Sequence, residues 1–271
     1  MMTESAPIRH VCGISGGKDS AALAIYMRDR VPNMEYFFCD TQKELPETYD
    51  FLARLEGYLG KPIARLNDER GFDHWLKVYG GYLPSSQMRW CTRQLKIKPF
   101  EKWVGEDNVV SYVGIRGDEN RSGYVSTKPN IRAVFPFVED GLIKEDIMRI
   151  LEESGVGLPK YYEWRSRSGC YFCFYQRKIE WVGLRERHPD LYEKAMSYEK
   201  GSSEDASAFT WTQSESLAEL AEPARVAEIQ AKHEAAAKDL QGRVSNRRLV
   251  EVFAELADTD SGEKPCMQCH L

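Results

Sequence analysis

No run of apolar residues in this 271-residue chain is long enough to cross a membrane. The stretch Met1–His10 has no apolar core of the kind a secretory leader carries. A cytoplasmic protein with no membrane partner is expected. The chain also lacks an excess of positive charge. Its 37 Lys and Arg stand against 42 Asp and Glu, a net −5, so nucleic acid would have to be held by a local basic groove rather than by the whole surface. Paired cysteine is lacking too: there are seven, and an odd count in a reducing compartment argues against a disulfide framework. There is no Walker loop and no internal repeat. Hydrophobic residues make up 42% of the chain. That suffices for a sizeable core, and the length suits one large α/β domain or one domain plus a small appendage.

The most informative stretch is Ser15-Gly16-Gly17-Lys18-Asp19-Ser20. It follows an apolar run, Ile8–Ile14, that reads as a buried strand, and it precedes a helical pattern, Lys18–Arg30. A strand, a glycine turn and a helix start form an anion site, because the open N–H groups of the first turn and the helix dipole both face the ligand. Gly16 and Gly17 allow the backbone to approach phosphate closely. Lys18 adds a point charge, Ser15 and Ser20 offer hydroxyl donors, and Asp19 can either orient Lys18 or hold Mg2+. The bland alternative is a glycine turn with a helix cap.

Strand-like and helix-like segments alternate through the first half. Met34–Cys39, Pro62–Leu66 and Val109–Ile115 read as strands, and Glu47–Tyr58 as a helix. This rhythm predicts an α/β fold: a mainly parallel sheet with helices on both faces, and a small helical, cysteine-bearing C-terminal region. Residues 1–160 are expected to form the nucleotide-binding part and 161–271 the cysteine-motif part. In such sheets ligands bind at the carboxyl ends of strands, where the Ser15 loop, Asp40-Thr41 and Arg116-Gly117-Asp118-Glu119 fall. Ser122–Ala133 reads as an irregular, mobile loop over the site. Lys144–Glu153 and Trp181–Arg187 read as helices, Gly201–Ser207 as a polar linker, Ser216–Leu240 as a long surface helix and Leu249–Ala257 as a further one.

Four strings carry a family resemblance. Asp40-Thr41-Gln42-Lys43-Glu44-Leu45-Pro46-Glu47-Thr48 follows the second strand. Trp90-Cys91-Thr92-Arg93-Gln94-Leu95-Lys96, Gly114-Ile115-Arg116-Gly117-Asp118-Glu119-Asn120-Arg121 and Ser168-Gly169-Cys170-Tyr171-Phe172-Cys173 come after it in that order. Alone, the first reads either as a strand-end Asp that binds ribose hydroxyls or Mg2+ or as a turn and helix cap with Pro46 in the first turn, and the third either as a phosphate grip or as surface salt bridging. Together they resemble the phosphoadenosine-phosphosulfate (PAPS) reductase family, and the Ser15–Ser20 loop resembles that of the N-type ATP pyrophosphatases in the same adenine nucleotide alpha hydrolase superfamily. The resemblance implies an ATP site with Mg2+. Ser15 to Ser20, Asp40, Thr41 and Gly114 would hold the nucleotide, with Lys18, Asp19, Arg116 and Arg121 at the chemistry; arginines grip phosphate through charge-assisted contacts.

The cysteines divide by setting. Cys12 and Cys39 lie in apolar runs and read as buried small hydrophobes. Cys170 follows Cys91 by 79 residues, close to the spacing in iron–sulfur members of the family, whose clusters are held by thiolates. Trp90 stands where that family has its first cysteine, which leaves Cys91, Cys170 and Cys173. A 4Fe-4S cluster is then completed by Cys266 or Cys269, or keeps one iron open to carry sulfur. The alternative is zinc on Cys170, Cys173, Cys266 and Cys269, although 93 residues between the two pairs is long for such a site. A third alternative makes Cys266 or Cys269 a redox nucleophile. Trp164, Tyr171 and Trp181 can stack bases or pack the core. Arg165, Arg167, Arg177, Lys178, Arg185 and Arg187 form the best local basic patch, either a phosphate-backbone site or a solvated face.

The intact loop favours an ATP pyrophosphatase that adenylates an acceptor and inserts sulfur, releasing AMP and pyrophosphate. The likeness is to DNA phosphorothioation sulfurtransferases of the DndC type, and tRNA thiolation uses the same chemistry. The expected partners are a sulfur donor such as a cysteine desulfurase, DNA or tRNA as acceptor, and other subunits of a modification complex. A reductase of PAPS or adenosine phosphosulfate, needing no ATP, and a non-catalytic nucleotide-binding subunit are the alternatives.

Overall fold

The computed structural model describes residues 7–120, 128–200, 209–212 and 215–243. Five strands make one parallel sheet: β1 (Arg9–Gly13), β2 (Glu35–Cys39), β3 (Ile63–Leu66), β4 (Val109–Tyr112) and β5 (Ile131–Val134). Their order is β3-β2-β1-β4-β5. The chain leaves β1 toward β2 and β3 on one side and returns to its other side with β4 and β5. The order therefore reverses at β1, and the crevice outside the carboxyl ends of β1 and β4 is where such sheets take ligands. The α/β reading is borne out.

The strands read as unbroken apolar runs because both faces of the sheet are covered. Successive side chains point to opposite faces. Val11, Phe37 and Cys39 join Val109 and Ile131 in one cluster, roofed by Phe100 and Val104. Those two lie on α5 (Lys98–Val104), which follows α4 (Trp90–Thr92) and a π-helical turn at Arg93–Ile97. Cys12, Ile14, Tyr36 and Phe38 face the other way. They pack under α1 (Lys18–Met27), α2 (Pro46–Leu59) and α7 (Lys144–Glu153). Burial pushes the Cys12 and Cys39 thiols up to about 12, which fits their reading as inert core residues.

A second core is mostly aromatic. Phe72 of α3 (Gly71–Val78) and Trp90 of α4 meet Tyr161, Tyr171, Phe172, Trp181, Tyr192 and Trp211. Those residues come from the turn Lys160–Glu163, the cysteine segment, α8 (Lys178–Arg187), α9 (Pro189–Tyr198) and the stretch before α10 (Leu217–Leu220). Trp181 and Tyr171 are buried here, so of the two roles open to them they take core packing. Trp164 is half-buried against α8, where a Cβ on Gly183 would come within 2.8 Å of its ring.

Three segments depart from expectation. Part of the irregular stretch Ser122–Ala133 is the start of β5; residues 121–127 lie outside the described ones. As an edge strand of four residues β5 pairs only with β4 and buries Ile131 while leaving Arg132 exposed, so its periodic signal is short. The long helix over Ser216–Leu240 is two helices, α10 and α11 (Pro223–Arg243). Pro223 suits a first helical position but not an interior one, and the Ser216–Glu219 capping box starts α10. It is also less of a surface element than expected, since Leu217, Leu220 and Ile229 are buried. Helix α8 begins three residues before Trp181, where the Arg177 N–H donates to Glu180 Oε2 at 3.0 Å. The short α6 (Pro136–Glu139) completes the set. Gly201–Ser207 and Leu249–Ala257 lie outside the described residues. No helix among those described is long and apolar enough to cross a membrane.

Phe37 is fully buried and stacks on Phe100 at 4.7 Å between centroids. Phe37→Ala is expected to cost about 3–5 kcal/mol in urea denaturation. Val78→Ala, at a site 58% exposed, should stay within about 0.5 kcal/mol.

Candidate functional site

The Ser15–Ser20 loop joins β1 to α1 and holds its own shape. Ser20 Oγ accepts from the Ser15 N–H at 3.0 Å, lies 3.0 Å from Ser15 Oγ and donates to the Gly17 carbonyl at 3.2 Å. Both hydroxyls are buried. The serines expected to donate to phosphate are therefore engaged within the loop, which leaves the backbone N–H groups at the start of α1, with no partner inside the helix, as the donors for an anion. Gly16 sits at φ +78°, and a Cβ there would lie 2.6 Å from Thr48 Cγ2. Only glycine suits both constraints.

Asp19 organises the charges. It is buried; Lys18 Nζ lies 2.6 Å from its Oδ2 and Arg116 Nη1 2.8 Å from its Oδ1. Burial alone would raise this carboxyl, but the two cations outweigh it and hold it down to about 2. Both oxygens are engaged, and as placed Asp19 orients Lys18 and Arg116. Arg116 also bonds Asp118 at 2.9 Å and Glu119 at 2.8 Å. Gly114 lets β4 approach α1: a Cβ there would lie 3.0 Å from the Asp19 carbonyl. The Gly117 N–H donates to the Leu142 carbonyl at 2.8 Å, which brings the start of α7 to this crevice. Burial first, then Lys18 and Arg116, lower the pKa of Lys144. Lys144 is thus a third cation at the site, one that no phosphate motif marks in the sequence. Arg121 lies outside the described residues.

At the end of β2, Asp40 Oδ1 accepts from the Gln42 N–H and the Tyr49 hydroxyl, both at 2.8 Å. This is the Asx-turn geometry of a helix approach. Thr41 is buried and donates to Glu44 Oε1 at 2.9 Å. Cys170 Sγ stands 3.1 Å from Thr41 Oγ1 and 3.6 Å from Glu44 Oε1. The Tyr171 N–H donates to the Lys43 carbonyl at 2.8 Å, and Arg165 holds the Gly169 and Cys170 carbonyls at 3.0 and 2.9 Å. The cysteine segment is thus docked beside the Asp40–Glu44 loop.

Burial, reinforced by Glu44, raises the Cys170 thiol well above its ordinary range. Cys91 Sγ lies 4.0 Å from its neighbour Thr92 Oγ1, and Cys173 is close to Gly169. Among the described residues no three His, Cys, Asp or Glu side chains are grouped to hold a metal ion. Cys266 and Cys269 lie outside those residues. Cys91, Cys170 and Cys173 are therefore not drawn together here as one ligand set.

The basic patch is partly structural. Arg165 is 2% exposed and serves the backbone of the cysteine segment. Arg177 pairs with the buried Glu180 and Lys178 with Glu215. Arg167 lies over the Tyr175 ring at 5.0 Å, and Arg185 and Arg187 are exposed.

Sequence reasoning missed Tyr161, Tyr162 and Ser168 as neighbours of the loop. The Tyr161 hydroxyl donates to the Gly16 carbonyl at 2.7 Å, the Lys18 N–H donates to the Tyr162 hydroxyl at 3.1 Å, and Ser168 Oγ reaches Ser15 Oγ at 3.4 Å. These contacts span about 145 positions and carry no local signal.

The profile of the phosphoadenosine phosphosulfate reductase domain matches residues 9–171, more than half of the chain. An uncharacterized protein of Methanocaldococcus jannaschii is 28% identical over 194 residues, 66% of this chain and 39% of the relative. The tRNA-specific 2-thiouridylase MnmA of Streptococcus pyogenes is 28% identical over 143 residues, 46% of this chain and 38% of that enzyme. The chain thus spans about two fifths of the length of these relatives. Among solved structures, a PAPS reductase from Candida auris in a phosphate complex superposes with TM-score 0.48 and 14% identity, covering 61% of this chain and 82% of that one. The chain belongs to the phosphoadenosine phosphosulfate reductase domain family.

Gly16→Ala is expected to destabilise the fold by about 1–2 kcal/mol through the left-handed backbone alone, with the Thr48 contact adding to it. Chemical denaturation measures the loss. Gly57→Ala, inside α2 where a Cβ meets nothing within 4 Å, is the control and should stabilise by a few tenths of a kcal/mol to about 1.

Proposed function

We propose that this member of the phosphoadenosine phosphosulfate reductase domain family is an ATP pyrophosphatase that activates a nucleic-acid acceptor and inserts sulfur into it. The carrying observation is the complete Ser15–Ser20 loop at the head of α1, with Lys18 and Arg116 converging on Asp19. The β- and γ-phosphates of ATP would meet the first N–H groups of α1. An acceptor oxygen attacks the α-phosphorus, the bond to the β-phosphate breaks, and pyrophosphate leaves. Lys18 and the loop N–H groups meet the charge that grows on that leaving group, which is where fixed donors accelerate such a step. Mg2+ travels with the nucleotide. Arg116, held in place by three carboxylates, would orient the α-phosphate, and Lys144 would add positive potential. In the second step hydrosulfide, supplied as such or released by a thiol reductant from the persulfide of a donor such as a cysteine desulfurase (the thiol becoming a disulfide), attacks the activated carbon or phosphorus. AMP leaves with the acceptor's oxygen.

The similarity to a tRNA-specific thiouridylase supports tRNA as acceptor. DNA is the second candidate. The family's own description favours a competing assignment, reduction of PAPS; such an enzyme would release sulfite with a thiol reductant and no ATP.

Pyrophosphate release from ATP·Mg2+ is expected in the presence of tRNA or DNA and sulfide. Lys18→Ala should lower it about a hundredfold, and circular dichroism should show a folded chain, since Arg116 still pairs with Asp19. Equal rates for the two proteins would remove the loop from the chemistry. Sulfite formed from PAPS without ATP would establish the reductase.

A further inference from the structure

The first N–H of α1, at Lys18, is one of the donors a phosphate would use, and in this structure it already has a partner. It donates to the Tyr162 hydroxyl at 3.1 Å. Beside it the Tyr161 hydroxyl donates to the Gly16 carbonyl at 2.7 Å, with the two tyrosine rings stacked 4.9 Å apart. Ser168 crowds the same place: a Cβ on Gly17 would lie 2.8 Å from its Oγ and 3.4 Å from the Tyr162 hydroxyl. A phosphate oxygen at hydrogen-bond distance from the Lys18 N–H would occupy the position of the Tyr162 oxygen.

Tyr162 and Ser168 lie on the short segment that ends in Cys170. That segment rests on the Asp40–Glu44 loop through the Tyr171–Lys43 hydrogen bond and the contact between Cys170 and Thr41. It has no regular structure after the turn at Lys160–Glu163, and Arg165 braces its backbone. Anything that shifts Tyr162 therefore acts on the stretch that positions Cys170.

We infer that Tyr162 is a latch: its hydroxyl takes the Lys18 N–H at the place a phosphate oxygen would use, and nucleotide binding displaces it and loosens the segment 162–173. This inference rests on nucleotide binding at the Ser15–Ser20 loop. It makes phosphate occupancy and the placement of the Cys170 thiol a single coupled equilibrium, so the cysteine would be released only when the loop is filled. Such coupling is reciprocal.

Phenylalanine at 162 keeps the ring stack and removes only the competing oxygen. One net hydrogen bond is worth about 1 kcal/mol, so Tyr162→Phe is expected to bind ATP·Mg2+ and inorganic pyrophosphate about fivefold more tightly by calorimetry. In the wild-type chain, amide hydrogen exchange across 162–173 should speed up when pyrophosphate is added. In Tyr162→Phe it should already be fast and respond little. Ser168→Ala, which removes the segment's contact with Ser15 Oγ, should shift both readouts the same way. Weaker binding by Tyr162→Phe would make Tyr162 a phosphate ligand and overturn the latch; unchanged binding, or exchange that ignores pyrophosphate, would overturn it as well. If neither the wild type nor the variant binds ATP or pyrophosphate, the nucleotide site itself fails and the latch with it.

Discussion

Asp19 between Lys18 and Arg116 is the contact on which the candidate site depends. The two cations come from different strand ends, Lys18 after β1 and Arg116 after β4, and a buried carboxylate is the only thing that draws both to one point. Burying a charge is costly unless it is paired and hydrogen-bonded. Here each oxygen has its cation, and Arg116 has Asp118 and Glu119 besides. The arrangement also needs small residues. Gly114 gives β4 room beside α1, and Gly16 gives the loop room beside Thr48. Backbone space and side-chain charge thus act together to hold a crevice of paired charges at the point where the strand order reverses.

Much of this was legible in the chain itself. The apolar runs around Val11, Phe37 and Val109 carry the parallel sheet because both of its faces are buried, and the glycine loop carries the turn into α1. What could not be read has physical reasons. The strand at Ile131–Val134 is short, lies at the edge and is half-exposed, so its pattern is faint. The helix expected over Ser216–Leu240 divides because Pro223 cannot sit inside it, a local signal outweighed in the reading by the surrounding Ala and Glu. Trp181 and Tyr171 are core because the C-terminal helices fold back on α3 and α4, a long-range fact invisible to local periodicity. The same holds for Tyr162 at the loop.

The cysteines show the limit of spacing as a guide. Cys91, Cys170 and Cys173 stand at a family-like separation, yet the Cys170 thiol packs against Thr41 and Glu44, and burial pushes it up. Its surroundings are those of a guarded thiol. The segment that carries it is fastened to the Ser15–Ser20 loop at one end and to the Asp40–Glu44 loop at the other, which places the thiol beside the candidate site. That proximity is what sulfur insertion into an activated acceptor requires.

The position of bond cleavage in ATP tests the central claim most directly. With α-labelled ATP, Mg2+, sulfide and tRNA or DNA, the label should appear in AMP, one for each pyrophosphate released. Label in ADP would contradict the account.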